Sequence, residues 1–179
     1  MNQPSYKGII KRLSDLSSEY SYEIPTKFTH VDIISALEQF SECVRYLNTR
    51  RTKGTNLSLE NEANVQDAIF LMLRPWVYDL IPENPTGKQA NRYSLGDFYS
   101  QSAKTIIEVK YIRDKEHGRG IIGELSEDIE QYKQSCDHLV FFIYDPDNYI
   151  PDGDALRRDL EIERSYAGRK LDCRLVLKP

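Results

Sequence analysis

The sequence predicts an α+β fold in which helices flank a central mixed β-sheet, preceded by an N-terminal helical extension. Two segments, residues 105–112 and 138–144, are rich in β-branched and aromatic residues, which is typical of strands. Both are apolar at neighbouring positions, which indicates strands that are covered on both faces. Segments with apolar residues at helical spacing precede and separate them, which gives the order helix, three strands, helix, strand.

The N-terminal part is predicted to be helical. Apolar side chains recur at helical spacing over residues 6–19 and again over residues 30–48. Basic residues followed by Gly54 end the second pattern, as is common at helix C-termini. Because two helices alone cannot form a large core, we predict a helical extension over residues 1–54 and a folded domain over residues 55–179.

The second part is predicted to contain the sheet and the helices that cover it. It begins with a helix over residues 60–74, which a proline ends. The remaining elements are strands over 76–83, 92–99 and 105–112, a helix that begins after 120 and ends near 135, a strand over 138–144, a helix over 154–163 and a strand over 171–177. The first three strands form a meander, and the next helix returns the chain so that the fourth strand pairs beside it.

Composition and charge exclude several classes of protein. The chain has 179 residues and a net charge of −4, so its charge alone does not indicate a nucleic-acid-binding protein. Its three cysteines lack CxxC spacing, which argues against a disulfide framework and a zinc site and indicates a reducing compartment. No apolar run approaches the roughly 18 residues of a membrane span, and the N-terminus lacks the apolar core of a signal peptide. We therefore expect a soluble cytoplasmic protein without a membrane partner.

Charge is distributed unevenly along the chain. Residues 45–119 contain 12 Lys and Arg against 9 Asp and Glu, a balance of +3, whereas residues 120–163 contain 3 against 12, a balance of −9. A locally positive face is therefore compatible with the acidic total, and so is an ordinary mixed surface.

The clearest candidate for chemistry consists of two acids and a lysine. Asp97 follows Gly96 in one predicted strand, and Glu108 and Lys110 interrupt the apolar run of the next. Residues two apart in a strand project from the same face, so Glu108 and Lys110 are predicted to lie side by side. Burying an unpaired charge is costly, and a metal ion held by Asp97 and Glu108 would explain why the charges are kept there.

Together with the surrounding elements, these residues resemble the PD-(D/E)xK nuclease superfamily, whose restriction-endonuclease-like fold has an αβββαβ core. The resemblance covers roughly residues 56–145 and includes both flanking helices. The first helix carries Asn-Glu-x-x-Val-Gln-Asp over residues 61–67, and the second carries Glu-Leu-x-x-Asp-Ile-x-x-Tyr over residues 124–132, as in bacterial restriction and phage-defence proteins. The proline that precedes the first acid in that superfamily is Gly96 here.

The resemblance implies a Mg²⁺-dependent nuclease, in which Mn²⁺ would substitute for Mg²⁺. Asp97 and Glu108 would be metal ligands, and Lys110 would orient or help to deprotonate the attacking water. Glu62 would be a further ligand, directly or through water. Two more candidates at or near the site are Glu83 and Gln131.

Each of these residues also has a purely structural explanation. Glu108 and Lys110 would form an ion pair that protects an edge strand, and Asp97 would be a turn or cap residue. Glu62 would interact with the dipole at the N-terminus of its helix, and Gln131 would be a solvated helix residue.

The function that follows is an endonuclease that hydrolyses phosphodiester bonds of DNA, with duplex DNA as the expected substrate, in bacterial restriction or anti-phage defence. Because two strands must be cut, we expect a homodimer, and the N-terminal helices would form its interface or bind a regulatory protein partner. Two alternatives stay open: a non-catalytic module of the same fold that binds a protein or nucleic acid, and a nuclease that acts on RNA. Basic residues near the site, among them Arg113, Lys115 and Arg119, would contact phosphates or belong to the ordinary surface. The three histidines are scattered along the chain and receive no role.

Overall fold

The computed structural model of the chain describes residues 28–49, 56–82 and 96–179. The predicted helix over residues 6–19 lies outside these residues. The helices are α1 (His30–Glu38), α2 (Phe40–Thr49), α3 (Glu62–Leu73), α4 (Lys115–Tyr132) and α5 (Gly153–Leu160). The strands are β1 (Leu80–Pro82), β2 (Phe98–Ser100), β3 (Thr105–Tyr111), β4 (His138–Tyr144), β5 (Arg164–Tyr166) and β6 (Arg169–Lys178).

The six strands form one mixed sheet in the order β1-β2-β3-β4-β6-β5. The first three are an antiparallel meander, β3 and β6 both run parallel to β4, and β5 is antiparallel to β6. The mixed sheet with flanking helices confirms the predicted fold class. β3 and β4 lie in the middle of this sheet, where both of their faces are covered.

Alternate residues of the central strands enter two separate hydrophobic cores, one on each face of the sheet. Ile107 and Val140 pack with α1 and α3, whereas Ile106 and Leu139 pack with α4 and α5. This arrangement explains why both strands are apolar at neighbouring positions.

The N-terminal helix α1 packs against the sheet, since its Leu37 is fully buried in the first core. The division of the chain into an extension and a domain at residue 54 stays a prediction.

Three helices differ from their predicted bounds. The helix predicted over residues 154–163 ends at Leu160, and Glu161 is its C-cap. The helix predicted over residues 30–48 is two helices, because the Gln39 N–H bonds the Ala36 carbonyl at 3.0 Å in a tight 3₁₀-type turn. Helix α4 begins before residue 120, since the Asp114 carboxylate caps it by accepting a hydrogen bond from the His117 N–H at 2.8 Å.

Three strands also differ. Residues 92–95 of the strand predicted over residues 92–99 lie outside the described residues, and Asp97 precedes the strand, because β2 begins at Phe98. The strand predicted over residues 76–83 is limited to β1, because Val77 N–H bonds the Leu73 carbonyl at 2.9 Å and continues the turn that ends α3. Val77 lies outside the sheet ladder and is buried in the first core. Strand β5 was not predicted, since its residues are exposed or half-buried and carry no apolar pattern. None of the helices in the described part of the chain combines the length and apolar character needed to cross a bilayer.

Candidate active site

The two predicted acids and the lysine come together at one end of the meander. Asp97 immediately precedes β2, one position beyond the register pair Phe98–Ile107, and is therefore placed opposite Glu108. Lys110 follows two residues later on the same face of β3. Since β3 is the third of six strands, the explanation as a protected edge strand does not apply. These three residues are called the acid–lysine site below.

Asp97 is fixed to two elements by its two carboxylate oxygens. Its Oδ2 accepts a hydrogen bond from the Val109 N–H at 2.6 Å, and its Oδ1 accepts one from Nε2 of Gln66 in α3 at 2.8 Å. Burial, followed by the charge of Glu108, raises the pKa of Asp97 to about 7, although the Val109 N–H lowers it. The carboxyl is therefore protonated more readily than an ordinary aspartic acid, and a nearby cation would favour its charged form.

Glu108 is nearly buried, with 8% of its surface exposed. Its Oε1 accepts a hydrogen bond from Nζ of Lys110 at 3.0 Å. Its Oε2 is buried without a hydrogen-bond partner among the described residues. Burial raises the pKa of Glu108, while the Lys110 charge opposes that shift. A buried oxygen that lacks a donor is costly, and a bound cation would compensate for it.

Lys110 is held between a strand and a helix. Its Nζ lies 3.0 Å from Oε1 of Glu108 and 3.0 Å from Oδ2 of Asp128 in α4. Burial lowers the pKa of Lys110, but the two carboxylates outweigh that effect and raise it. The ammonium is therefore firmly protonated. Tyr132, one helical turn after Asp128, also interacts with the Glu108 carboxylate.

A cleft of about 470 Å³ adjoins this cluster, and Glu62 lies at its rim. Glu62 is the first residue of α3 and is exposed. Its charge contributes to the raised pKa of Asp97, so the structure brings it close to the acid–lysine site. Gln131 lies on the exposed side of α4, and its role stays a prediction. Glu83 lies outside the described residues.

A model of the family described as REase_DpnII-MboI matches residues 32–178, which is most of the chain. The chain belongs to the DpnII-MboI restriction endonuclease family. This membership confirms the restriction-endonuclease-like resemblance and identifies a DNA endonuclease of the restriction type, a class that implies use of a divalent metal ion. Neither the curated proteins nor the solved structures include a match to the chain.

In this restriction endonuclease, Gly96 is explained by its surroundings. A Cβ atom at this position would lie 3.0 Å from Oε2 of Glu108 and would collide with Cγ2 of Ile106. Proline has a Cβ and would not fit this backbone. The departure from the superfamily pattern therefore leaves open the space beside Oε2 of Glu108.

Two residues of the site were not singled out from the sequence. Gln66 binds Asp97, and Asp128 pairs with Lys110. Both lie within the helix motifs that carried the resemblance. Gln66 is four residues after Glu62 and thus on the same helical face. That spacing was an available signal, although it does not identify a partner across the fold.

Proposed function

We propose that this restriction endonuclease is a Mg²⁺-dependent enzyme of the PD-(D/E)xK type, with Asp97, Glu108 and Lys110 as its catalytic residues. The observation that carries the proposal is the convergence of two carboxylates and one ammonium from adjacent strands beside an open cleft. Lys110 is already paired with two acids, Glu108 and Asp128. Asp97 adds a further acid beside Glu108, and a cation would neutralise the repulsion between them.

The donor set suits a hard divalent cation. Mg²⁺ prefers oxygen ligands and is often bound by only one or two carboxylates, with water and substrate phosphate in its remaining positions. Asp97 and Glu108 would hold it, and Glu62 would be a further ligand, directly or through water. When bound, the ion would supply Lewis acidity and lower the pKa of a coordinated water.

Lys110 has the properties of an orienting cation. Its raised pKa keeps the ammonium charged, so it can donate hydrogen bonds to the attacking water and stabilise charge that develops on the phosphate. A charged ammonium has no lone pair with which to accept a proton. Of the two roles expected from the sequence, orientation of the water is therefore favoured over its deprotonation. Asp128 acts as a positioning residue, since it contacts the ammonium.

DNA would approach across the cleft. Arg113 lines this cleft, and Lys115 and Arg119 are exposed in the first turns of α4. Such side chains would contact backbone phosphates without reading sequence.

We further propose that the enzyme acts as a homodimer, since each strand of a duplex needs its own site, and that it cuts foreign DNA in the cytoplasm as a defence.

The test is plasmid cleavage in Mg²⁺, Mn²⁺ or EDTA by the wild type and by D97A, E108A and K110A. Each variant should lose activity by at least about a hundredfold while its circular dichroism spectrum stays native. Glu127 is an exposed acid of α4 next to Asp128, so E127A is the matched control and should cut normally. Cleavage that persists in EDTA or in all three variants would refute the proposal. Cleavage of RNA alone would favour the RNA nuclease, and cleavage of neither nucleic acid would favour the binding module. Light scattering would measure whether the protein is a dimer.

A further inference from the structure

A second cluster of polar side chains lies at the other end of the sheet. His30 is the first residue of α1, His138 is the first residue of β4, and Asp172 lies beside His138 in β6. His138 also pairs with Thr105, the first residue of β3. Lys110 is five residues further along β3, which corresponds to roughly 16 Å. The cluster is therefore separate from the acid–lysine site.

Both imidazoles direct a nitrogen toward the same carboxylate oxygen. Nε2 of His30 is 3.8 Å and Nδ1 of His138 is 3.6 Å from Oδ2 of Asp172. These distances are too long for hydrogen bonds, and Nδ1 of His138 is buried without a hydrogen-bond partner in the described part of the chain. Three potential ligand atoms, one from each residue, lie within 4.8 Å of one another. In a tetrahedral site with bonds of about 2.0–2.1 Å, ligand atoms are about 3.3 Å apart, so the two distances to Asp172 exceed the required spacing by a few tenths of an ångström.

The two rings are stacked, with centroids 3.5 Å apart and planes inclined by 9°. Burial and then the neighbouring His138 lower the pKa of His30, which favours the neutral form of that ring. Neutral imidazoles have lone pairs available for a metal ion. The lone pairs of parallel rings are themselves parallel, so one ring must tilt for both to reach one ion. His30 is the first residue of its helix and its side chain is 27% exposed, so we assign the tilt to that ring.

The surroundings of Asp172 fit a ligand role. Nε of Arg174 donates a hydrogen bond to its Oδ2 at 3.2 Å and lies 3.1 Å from its Oδ1. Hydrogen-bonded partners of this kind commonly orient ligating carboxylates. His138 and Asp172 also line a cleft of about 720 Å³, together with three cations and Asp137. Lys104 and Arg169 are paired with Asp137, and Lys170 is paired with Glu163, so carboxylates partly neutralise the positive charge along this path for an ion from solvent.

We propose that His30, His138 and Asp172 form a site for a divalent transition-metal ion of the Zn²⁺ class. Two imidazole nitrogens and one carboxylate oxygen suit Zn²⁺, whereas Mg²⁺ prefers oxygen ligands. The site uses no cysteine, which is why cysteine spacing does not reveal it. A bound ion would fasten the start of α1 to β4 and β6. This proposal does not depend on the nuclease mechanism.

The test uses Co²⁺ and Zn²⁺ as probes on the full chain. Wild-type protein with Co²⁺ should show the strong visible absorption of a four-coordinate ion, Zn²⁺ should displace it, and Zn²⁺ should raise the thermal midpoint. H30A, H138A and D172N should each weaken Zn²⁺ binding by about a hundredfold or more, since loss of an outer-shell partner alone costs 10- to 100-fold. H117A removes the third histidine and should keep the absorption. E108Q should keep it as well, because it alters only the acid–lysine site.

The wild-type spectrum decides the matter even if a variant fails to fold. Wild-type protein without four-coordinate Co²⁺ absorption would overturn the proposal. A thiolate charge-transfer band would also overturn it, because it would show that cysteine is the ligand. Unchanged Zn²⁺ affinity in folded H30A and D172N would overturn the proposal as well.

Discussion

Replacement of Asp97 by Asn is expected to stabilise the metal-free protein while it abolishes cleavage. Burial and the Glu108 charge raise the folded-state pKa of Asp97 from 3.8 to about 7. The ionised carboxylate therefore costs the folded protein, relative to the unfolded chain, about 1.4 kcal/mol for each pKa unit of that difference. Asn carries no charge, so D97N should raise the free energy of unfolding by up to about 4 kcal/mol at pH 8.

The increase in the free energy of unfolding of D97N over the wild type depends on pH. Because the folded-state pKa of Asp97 is raised, its protonated form contributes stability that is fully present below about pH 4 and lost as the pH rises through about 7. Wild type and D97N should therefore have similar stability near pH 4. The difference between them should grow up to about pH 8.

The assay is urea unfolding in EDTA at several pH values, with equal m-values as evidence that both proteins unfold in the same way. Asn still accepts the Val109 N–H bond, and the Gln66 amide can turn to pair with the new NH₂ group. Asp67 is an exposed acid of α3, so D67N is the matched control and should show no such gain. Mg²⁺ should stabilise the wild type and not D97N. If D97N is no more stable than the wild type at pH 8, the argument that Asp97 is electrostatically strained is wrong.

Two further predictions concern the surroundings of the site. D128N removes one of the two carboxylates that hold Lys110, so it should lower the cleavage rate by about tenfold and the free energy of unfolding by about 1–2 kcal/mol. E127Q is the control for both measurements, and wild-type cleavage by D128N would show that the ion pair is dispensable. G96A introduces a colliding Cβ and should cost about 1–3 kcal/mol in urea unfolding and weaken Mg²⁺ binding. G120A, whose Cβ would meet open space in α4, should be neutral or stabilising, so equal stability of the two glycine variants would contradict the packing argument.

The central strands and most helices were predictable because their signals are local. Burial on two faces is recorded in the apolar runs of β3 and β4. The start of α4 was not predictable, because its glycines suggested a loop. At Gly118 the cause is a close approach to another segment, since a Cβ there would lie 2.6 Å from the Tyr149 carbonyl oxygen. Such a contact between distant residues leaves no periodic pattern in the sequence.

The site was predictable to a similar extent. Glu108 and Lys110 are two residues apart, so their proximity follows from strand geometry, and the meander brings Asp97 opposite them. The contacts of Gln66 with Asp97 and of Asp128 with Lys110 depend on how two helices pack on the sheet. The histidine cluster was missed for the same reason, as its members are joined only by the parallel register of β4 and β6 and the start of α1.

Lys110 of β3 pairs with Asp128 of α4, so catalysis is expected to depend on the position of that helix on the sheet. The buried face of α4 fixes this position through packing, and the position of α4 in turn fixes the position of the Lys110 ammonium. This face includes Ile121, Leu125 and Ile129. A shorter side chain on this face, as in I129V, would let α4 shift toward the sheet by a fraction of an ångström. Such a variant is expected to lose turnover well before it loses its fold, because a reacting water tolerates less misalignment than a hydrophobic core does.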